Sequence, residues 1–481
     1  MMVKFCSFTL LVVFMVGPLI TSVDIPISWT SPMFLSLYST NASVNPLDRP
    51  ITQTEDAWIV SLVPLGAVIG PFLFGYLSDR LGRKIGLLLT STPLIASSFI
   101  LAFFSSSVYV IYFARLIAGF SMGAGYALLP VYLSEIAEDS NRGMVSQALN
   151  IFWSFGNFIS CAVGPFLPYM VFNIVIGCIP TAFFVVFLLW APESPYYLVS
   201  KGDIEGAQQT LAKLRMNDEK VVEEEMASIK EFLEKDKKGG ISEVFSNPPV
   251  RRAFIICTFL VFTQELCGFS VFLMYMQPIF EAAGIGLSSD KCSLIMSVVI
   301  ITSSFINPFF IDKAGRKILI VMSCFGMFIS LTLVGAFFYI KTSTNLSTDP
   351  ITWLPIFSLI FFIFAFNFGL GAVPWTLTSE MFPNNLKQVV STTISASSWL
   401  ASAVLTRFYN DMNDSLGRSG SFWFFAGYCL ISGIVSLIFL PETKGKSFAE
   451  IQDMLQSNSI IYFRSEARAK KEVGNVMSTR F

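Results

Sequence analysis

The 481-residue chain contains no histidine. The side chain that most often shuttles protons near neutral pH, and most often ligates metals, is therefore missing. Charged residues make up only 14% of the chain and nearly cancel, with a formal net charge of −1. No polyanion partner is implied, and nucleic-acid binding is not expected. The eight cysteines show neither metal nor disulfide spacing. Cys161, Cys178, Cys257, Cys324 and Cys429 fall inside apolar runs and read as small apolar fillers. No nucleophile elbow, phosphate-binding loop or metal-ligand cluster occurs. No catalytic residue, metal site or cofactor is expected, and a membrane-embedded enzyme is the least favoured reading.

What the chain has instead is apolar length. It is 53% hydrophobic and holds 49 phenylalanines. Runs of about 20 apolar residues recur, the length a helix needs to cross a bilayer. They lie at about 5–22, 57–76, 85–104, 108–133, 144–167, 170–191, 253–280, 292–311, 318–340, 353–379, 389–408 and 422–440. The first run follows Lys4 as a secretory leader would, but no small-residue cleavage site comes after it, so it reads as a membrane helix. The expected fold is all-α and integral to the membrane, with twelve transmembrane helices in two pseudo-symmetric six-helix bundles. Residues 1–191 form the first bundle, 192–250 a cytoplasmic linker with a helical stretch over 204–233, 251–441 the second bundle, and 442–481 a cytoplasmic tail. The surroundings are lipid, and a monomer is expected.

Two short turns organise the chain. Asp79-Arg80-Leu81-Gly82-Arg83-Lys84 and Asp312-Lys313-Ala314-Gly315-Arg316-Lys317 each put a carboxylate, a glycine and three cations between two apolar runs. Glycine permits the tight turn, and the cations hold it on the cytoplasmic side. The same charge rule places Arg142, Lys387, the linker and the tail on that side, so both termini are cytoplasmic. Three Asn-x-Ser sequons, at Asn41, Asn345 and Asn413, fall on the opposite side, where glycosylation occurs. The halves also match elsewhere. Pro130-Val131-Tyr132-Leu133-Ser134-Glu135 pairs with Pro374-Trp375-Thr376-Leu377-Thr378-Ser379-Glu380, and Pro192-Glu193 pairs with Pro441-Glu442. Such repeats imply a binding site near the midplane, between the halves.

These turns, Arg115 with Pro130–Ile136, Pro192–Leu198, Gly371–Trp375 and Pro441–Gly445 together resemble the sugar-porter family of the major facilitator superfamily, most of all insect facilitative sugar carriers such as trehalose carriers. The resemblance covers nearly the whole chain and implies two layers of functional residues. The first is a cytoplasmic gate that latches the halves when the carrier faces outward. It consists of Glu135, Glu193, Glu380 and Glu442 at helix ends, with Asp79, Arg80, Arg83, Arg142, Asp312, Arg316 and Lys387 in the adjoining turns. The family usually has arginine where Lys387 stands, and lysine cannot make the bidentate fork.

The second layer is the sugar site. A pyranose presents hydroxyls around an apolar ring, and it is met by amide-type groups and flat aromatics. Gln264, Gly268, Val271 and Tyr275 recur at helical spacing on the seventh span and are expected to share one face. Gln264 keeps the family's glutamine, while Glu265 and Ser270 replace an amide pair. Trp375 matches the family's tryptophan. Ser398 flanks Trp399 where the family has asparagine, Asn150 stands for a glutamine, and Ile300 for a sugar-binding asparagine. Several direct amide contacts are thus shortened or lost.

Three ionisable residues stand out as intramembrane, where charge is expensive: Asp24, just past the first run, Arg115 and Glu265. In proton-coupled sugar porters an aspartate follows the aromatic of the first span and faces the arginine of the fourth. Here Thr30 follows Trp29, and Asp24 lies six residues earlier, about 9 Å along an ideal helix. The reading that follows is a facilitative transporter of a small-molecule sugar in the plasma membrane, a hexose or a trehalose-type disaccharide, working by alternating access. A proton-coupled symporter is the alternative. A carrier-like sensor is weaker still, because the segment after Glu442 is short.

Overall fold

The computed structural model describes residues 8–138, 142–216, 218–235, 240–306, 314–344, 346–446 and 448–456. Among these, every regular element is a helix. Among the described residues, nine helical stretches are long and apolar enough to cross a membrane. The difference from the twelve expected has a local cause. Asn384–Phe439 runs as one element but bends at Gly417 (φ 71°), so that it holds the last two apolar runs. Arg142–Val163 and Ser289–Ile306 lie where the fifth and eighth runs were expected.

The helices are apolar on nearly all sides, which is what a bundle bathed in lipid requires. Trp29, Phe34, Phe172, Phe183, Phe337 and Phe362 face inward and are buried, while Phe72, Phe113, Leu189, Ile255, Phe357 and Phe424 face out. Close approach depends on small residues. Gly66 and Gly70 of Gln53–Leu81 meet Gly119 and Gly123 of Val108–Ile136, and a Cβ at any of the four would strike backbone of the facing helix.

Two of the expected elements are subdivided. The 204–233 stretch is two helices, Ile204–Leu214 and Glu219–Lys235, joined at Arg215. Arg215 bonds Glu225 (2.5 Å) and the Ile136 carbonyl (3.1 Å), which docks this segment onto the end of the fourth span. The seventh span is not one helix either. Pro248–Leu266 stops at Cys267, Gly268 is left-handed (φ 86°), and Phe269–Met274 and Met276–Ala283 follow. The shared face expected for Gln264, Gly268, Val271 and Tyr275 is therefore broken, because the left-handed glycine and the non-helical Tyr275 interrupt the 3.6-residue period.

Candidate functional site

That break places two polar side chains at a helix end in mid-bundle. Gln264 Nε2 donates to the Gly371 carbonyl (3.3 Å), which lies in a second break, between Leu354–Phe368 and Val373–Met381. Its Oε1 is buried without a partner. Glu265, 7% exposed, accepts from Ser270 Oγ (2.6 Å) and Ser398 Oγ (3.1 Å). The next residue, Trp399, sets its ring edge-on to Tyr126 at 5.3 Å. Tyr126 comes from the fourth span, so this contact joins the halves. It stacks on Trp153 (4.5 Å) and donates to Asp24 Oδ1 (2.6 Å), while Asn157 Nδ2 donates to Asp24 Oδ2. Two buried carboxylates, one from each half, thus flank an aromatic cluster, each held by neutral donors. Such a layer offers acceptors to hydroxyl groups and flat apolar faces to a ring.

Ser154 and Ser304 make a second link between the halves (2.7 Å). Asn150 lies one turn below Ser154, half-buried, and accepts from it only through its backbone carbonyl (2.9 Å). Trp375 is 39% exposed, and among the described residues its side chain makes no hydrogen bond. Ile300 is buried. Thr30 Oγ1 bonds the Met274 carbonyl of the other half (2.9 Å). Arg115 does not meet Asp24: its Nε donates to the Ile59 carbonyl (3.0 Å) and its guanidinium lies 4.9 Å from the Trp29 ring centre.

At the end bearing the charged turns, the two halves repeat one construction. Glu193 accepts from the Arg83 and Lys84 amides (2.8 and 3.1 Å), and Glu442 from the Arg316 and Lys317 amides (2.9 and 3.2 Å). Each carboxylate sits on a helix N-terminus, where free amides and the helix dipole favour negative charge. Glycine makes the seat possible. Gly82 and Gly315 have φ of 113° and 92°, and a Cβ on either would collide with Glu193 or Glu442. Arg83 also bonds Asp79 (2.5 Å) and Glu135 (3.3 Å), and Arg316 bonds Glu380 (2.9 Å), whose second oxygen accepts from Thr443 (2.6 Å). Every one of these contacts lies within one half. Burial raises the Glu193 carboxyl above its ordinary value despite the backbone amides. Arg80 stands apart, its guanidinium 4.5 Å over the Tyr76 ring. Lys387 is half-buried and makes no ion pair among the described residues.

The opposite end is bridged between halves. Asp56, 4% exposed, accepts from Tyr38 (2.7 Å) and, across the interface, from Tyr275 (2.6 Å). Asn410 donates to the Gln53 carbonyl (3.3 Å), and Arg407 lies 5.0 Å over the Trp58 ring.

Comparison with known proteins agrees with this geometry. The model of the family described as "Sugar (and other) transporter" matches residues 27–455. The chain belongs to that family. It is 30% identical over 427 residues to a facilitated trehalose transporter, Tret1, of Polypedilum vanderplanki, covering 88% of this chain and 83% of the relative. It is also 30% identical to Tret1 of Culex quinquefasciatus, covering 87% and 82%. The inward-open xylose transporter XylE of E. coli superposes with a TM-score of 0.75 at 21% identity, covering 93% of this chain and 99% of that one. The fold of this sugar transporter is the major facilitator fold in a multi-pass membrane protein.

Some expected sites of this sugar transporter fall elsewhere. Asn41 is exposed and accepts from Ser43 N and Oγ (3.0 and 2.8 Å). Asn413 lies within the long Asn384–Phe439 helix, its Oδ1 buried. Asp312, Lys313 and Asn345 lie outside the described residues, as does the Arg142 side chain. Tyr126, Trp153, Asn157, Asp56 and Tyr38 are contact residues that the sequence does not single out, and Tyr275, expected on the sugar-facing side of the seventh span, instead bonds Asp56. The signal for Asp56 was present, as an acidic residue at the start of an apolar run, but helix-dipole preference accounts for that equally well.

Proposed function

We propose that this chain is a facilitative carrier of a hexose or a trehalose-type disaccharide, working by alternating access. The observation that carries the reading is the central layer shared by both halves, Asp24–Tyr126–Trp399 beside Gln264, Glu265, Ser270 and Ser398. A sugar held there touches both halves, and its binding is sensitive to their relative position. The relatives that are facilitated trehalose transporters support the substrate class. The charged turns face the cytoplasm together with both termini, in the plasma membrane, and the carrier works as a monomer. The Asp56–Tyr275 contact then closes the outer side, and rocking the halves breaks it. The ion pairs of the charged turns keep the helix ends of each half together while the same face closes in the outward-facing state. A second reading has one specific observation in its favour: Asp24 and Glu265 are buried and, among the described residues, pair with no cation, as proton carriers would be.

The test is uptake of glucose, fructose and trehalose into proteoliposomes, with and without a proton gradient. Equilibration that ignores a protonophore supports facilitation. Accumulation that the protonophore abolishes selects the symporter. Binding without uptake of any of these sugars overturns the carrier reading.

A further inference from the structure

Arg115 is a buried charge that the transport scheme leaves unused. It is 1% exposed in the fourth span. One guanidinium nitrogen is taken by the Ile59 carbonyl, and Nη2 is buried with no hydrogen-bond partner. Among the described residues no carboxylate lies within ion-pair distance. Asp24, the acidic residue of the first span, is committed to Tyr126 and Asn157 instead. Guanidinium does not deprotonate in proteins. The Trp29 ring at 4.9 Å offers partial compensation, but a charge without a counter-ion inside a membrane bundle is costly, and a bound anion would supply one.

The place for it is adjacent. A cavity of about 20 Å³ to water-sized spheres is lined by Arg115, Trp29, Ser22, Ser97 and Ser98 among apolar side chains. Ser22 and Ser98 spend their hydroxyl protons on the Pro18 and Leu94 carbonyls (2.6 and 2.9 Å). Ser97 donates to no carbonyl among the described residues, so its hydroxyl and the Arg115 guanidinium remain as donors. The space holds one small spherical guest. A water molecule satisfies the donors but leaves the charge. We propose that a halide-sized monovalent anion, chloride in a cell, binds in this cavity between Arg115 and Ser97 and supplies the counter-charge. The site is apart from the sugar layer, and the proposal stands or falls independently of which substrate is carried.

The test reads stability, not uptake. Full-length protein in detergent is melted in chloride, bromide or gluconate at equal ionic strength. Chloride and bromide are expected to raise the melting temperature saturably by a few degrees over gluconate. Ser97→Asp places a carboxylate in the same cavity. In gluconate it is expected to melt near the wild type's chloride value and to lose the halide response. No halide response in wild type, or an undiminished one in Ser97→Asp, overturns the proposal. Should that variant not fold, bromide-soaked crystals of the wild type decide. An anomalous peak against the Arg115 guanidinium supports the site, and ordered water there without anomalous signal overturns it.

Discussion

Asp56 and Tyr275 come from opposite halves of the chain and meet in a 2.6 Å hydrogen bond. The carboxylate is buried and carries a second phenol, Tyr38, at 2.7 Å. A hydrogen bond to a charged group contributes about 1.5–3 kcal/mol. Tyr275→Phe removes the bond across the interface and keeps the ring. The ratio of closed to open forms at this end is expected to fall roughly 10- to 100-fold. Faster alkylation of a single cysteine placed at Gln53 reads the change, and an unchanged rate refutes the clasp.

Gly82→Ala tests the seat of Glu193. Alanine is strained at φ 113°, and its methyl group occupies the position of the carboxylate. The cost expected is about 1–3 kcal/mol from the backbone alone, seen as a lower melting temperature. Gly315→Ala should behave alike, because Glu442 stands 2.7 Å from where that Cβ would lie. A neutral effect of both would show that the helix ends relax easily.

Gln264→Ala is expected to raise the half-saturation concentration for sugar severalfold or to abolish uptake at normal surface expression. Gln264 bonds Gly371 and leaves a buried acceptor unpaired, which a sugar hydroxyl would fill. Trp375→Ala is expected to act in the same direction. Because Trp375 is 39% exposed and joins no hydrogen bond of the central layer, the smaller effect is expected there. Normal kinetics in both variants would remove the two residues from the site.

Glu265→Gln keeps an acceptor for Ser270 or Ser398, since serine hydroxyls donate or accept. Sugar exchange is expected to persist, with the same pH profile as wild type if the carboxylate only binds hydroxyls. Loss of accumulation with exchange intact would assign Glu265 a coupled proton. Glu265→Leu, which removes every acceptor, is expected to stop transport in either case.

The sequence disclosed what depends on neighbours along the chain. Apolar runs of bilayer length and the Gly82 and Gly315 turns needed no tertiary information, because lipid and backbone geometry alone dictate them. It disclosed less of what depends on partners far away. Tyr126 is one aromatic among many until the fold sets it between Asp24 and Trp399. Gly268 read as one position on a helical face, although its left-handed conformation ends that face. Glu265, Ser270 and Ser398 were marked as departures from a family pattern, and the fold brings all three into one hydrogen-bonded group.

The paired construction at the charged turns has an electrical consequence. The ion pairs of Arg83 with Asp79 and Glu135, and of Arg316 with Glu380, each lie within one half. Parting the halves at this face therefore breaks none of these three ion pairs. A contact that does join the halves lies at the opposite end, where the dielectric changes as the Asp56–Tyr275 clasp opens. Added salt, which screens exposed charge, should leave the carrier's rate nearly untouched.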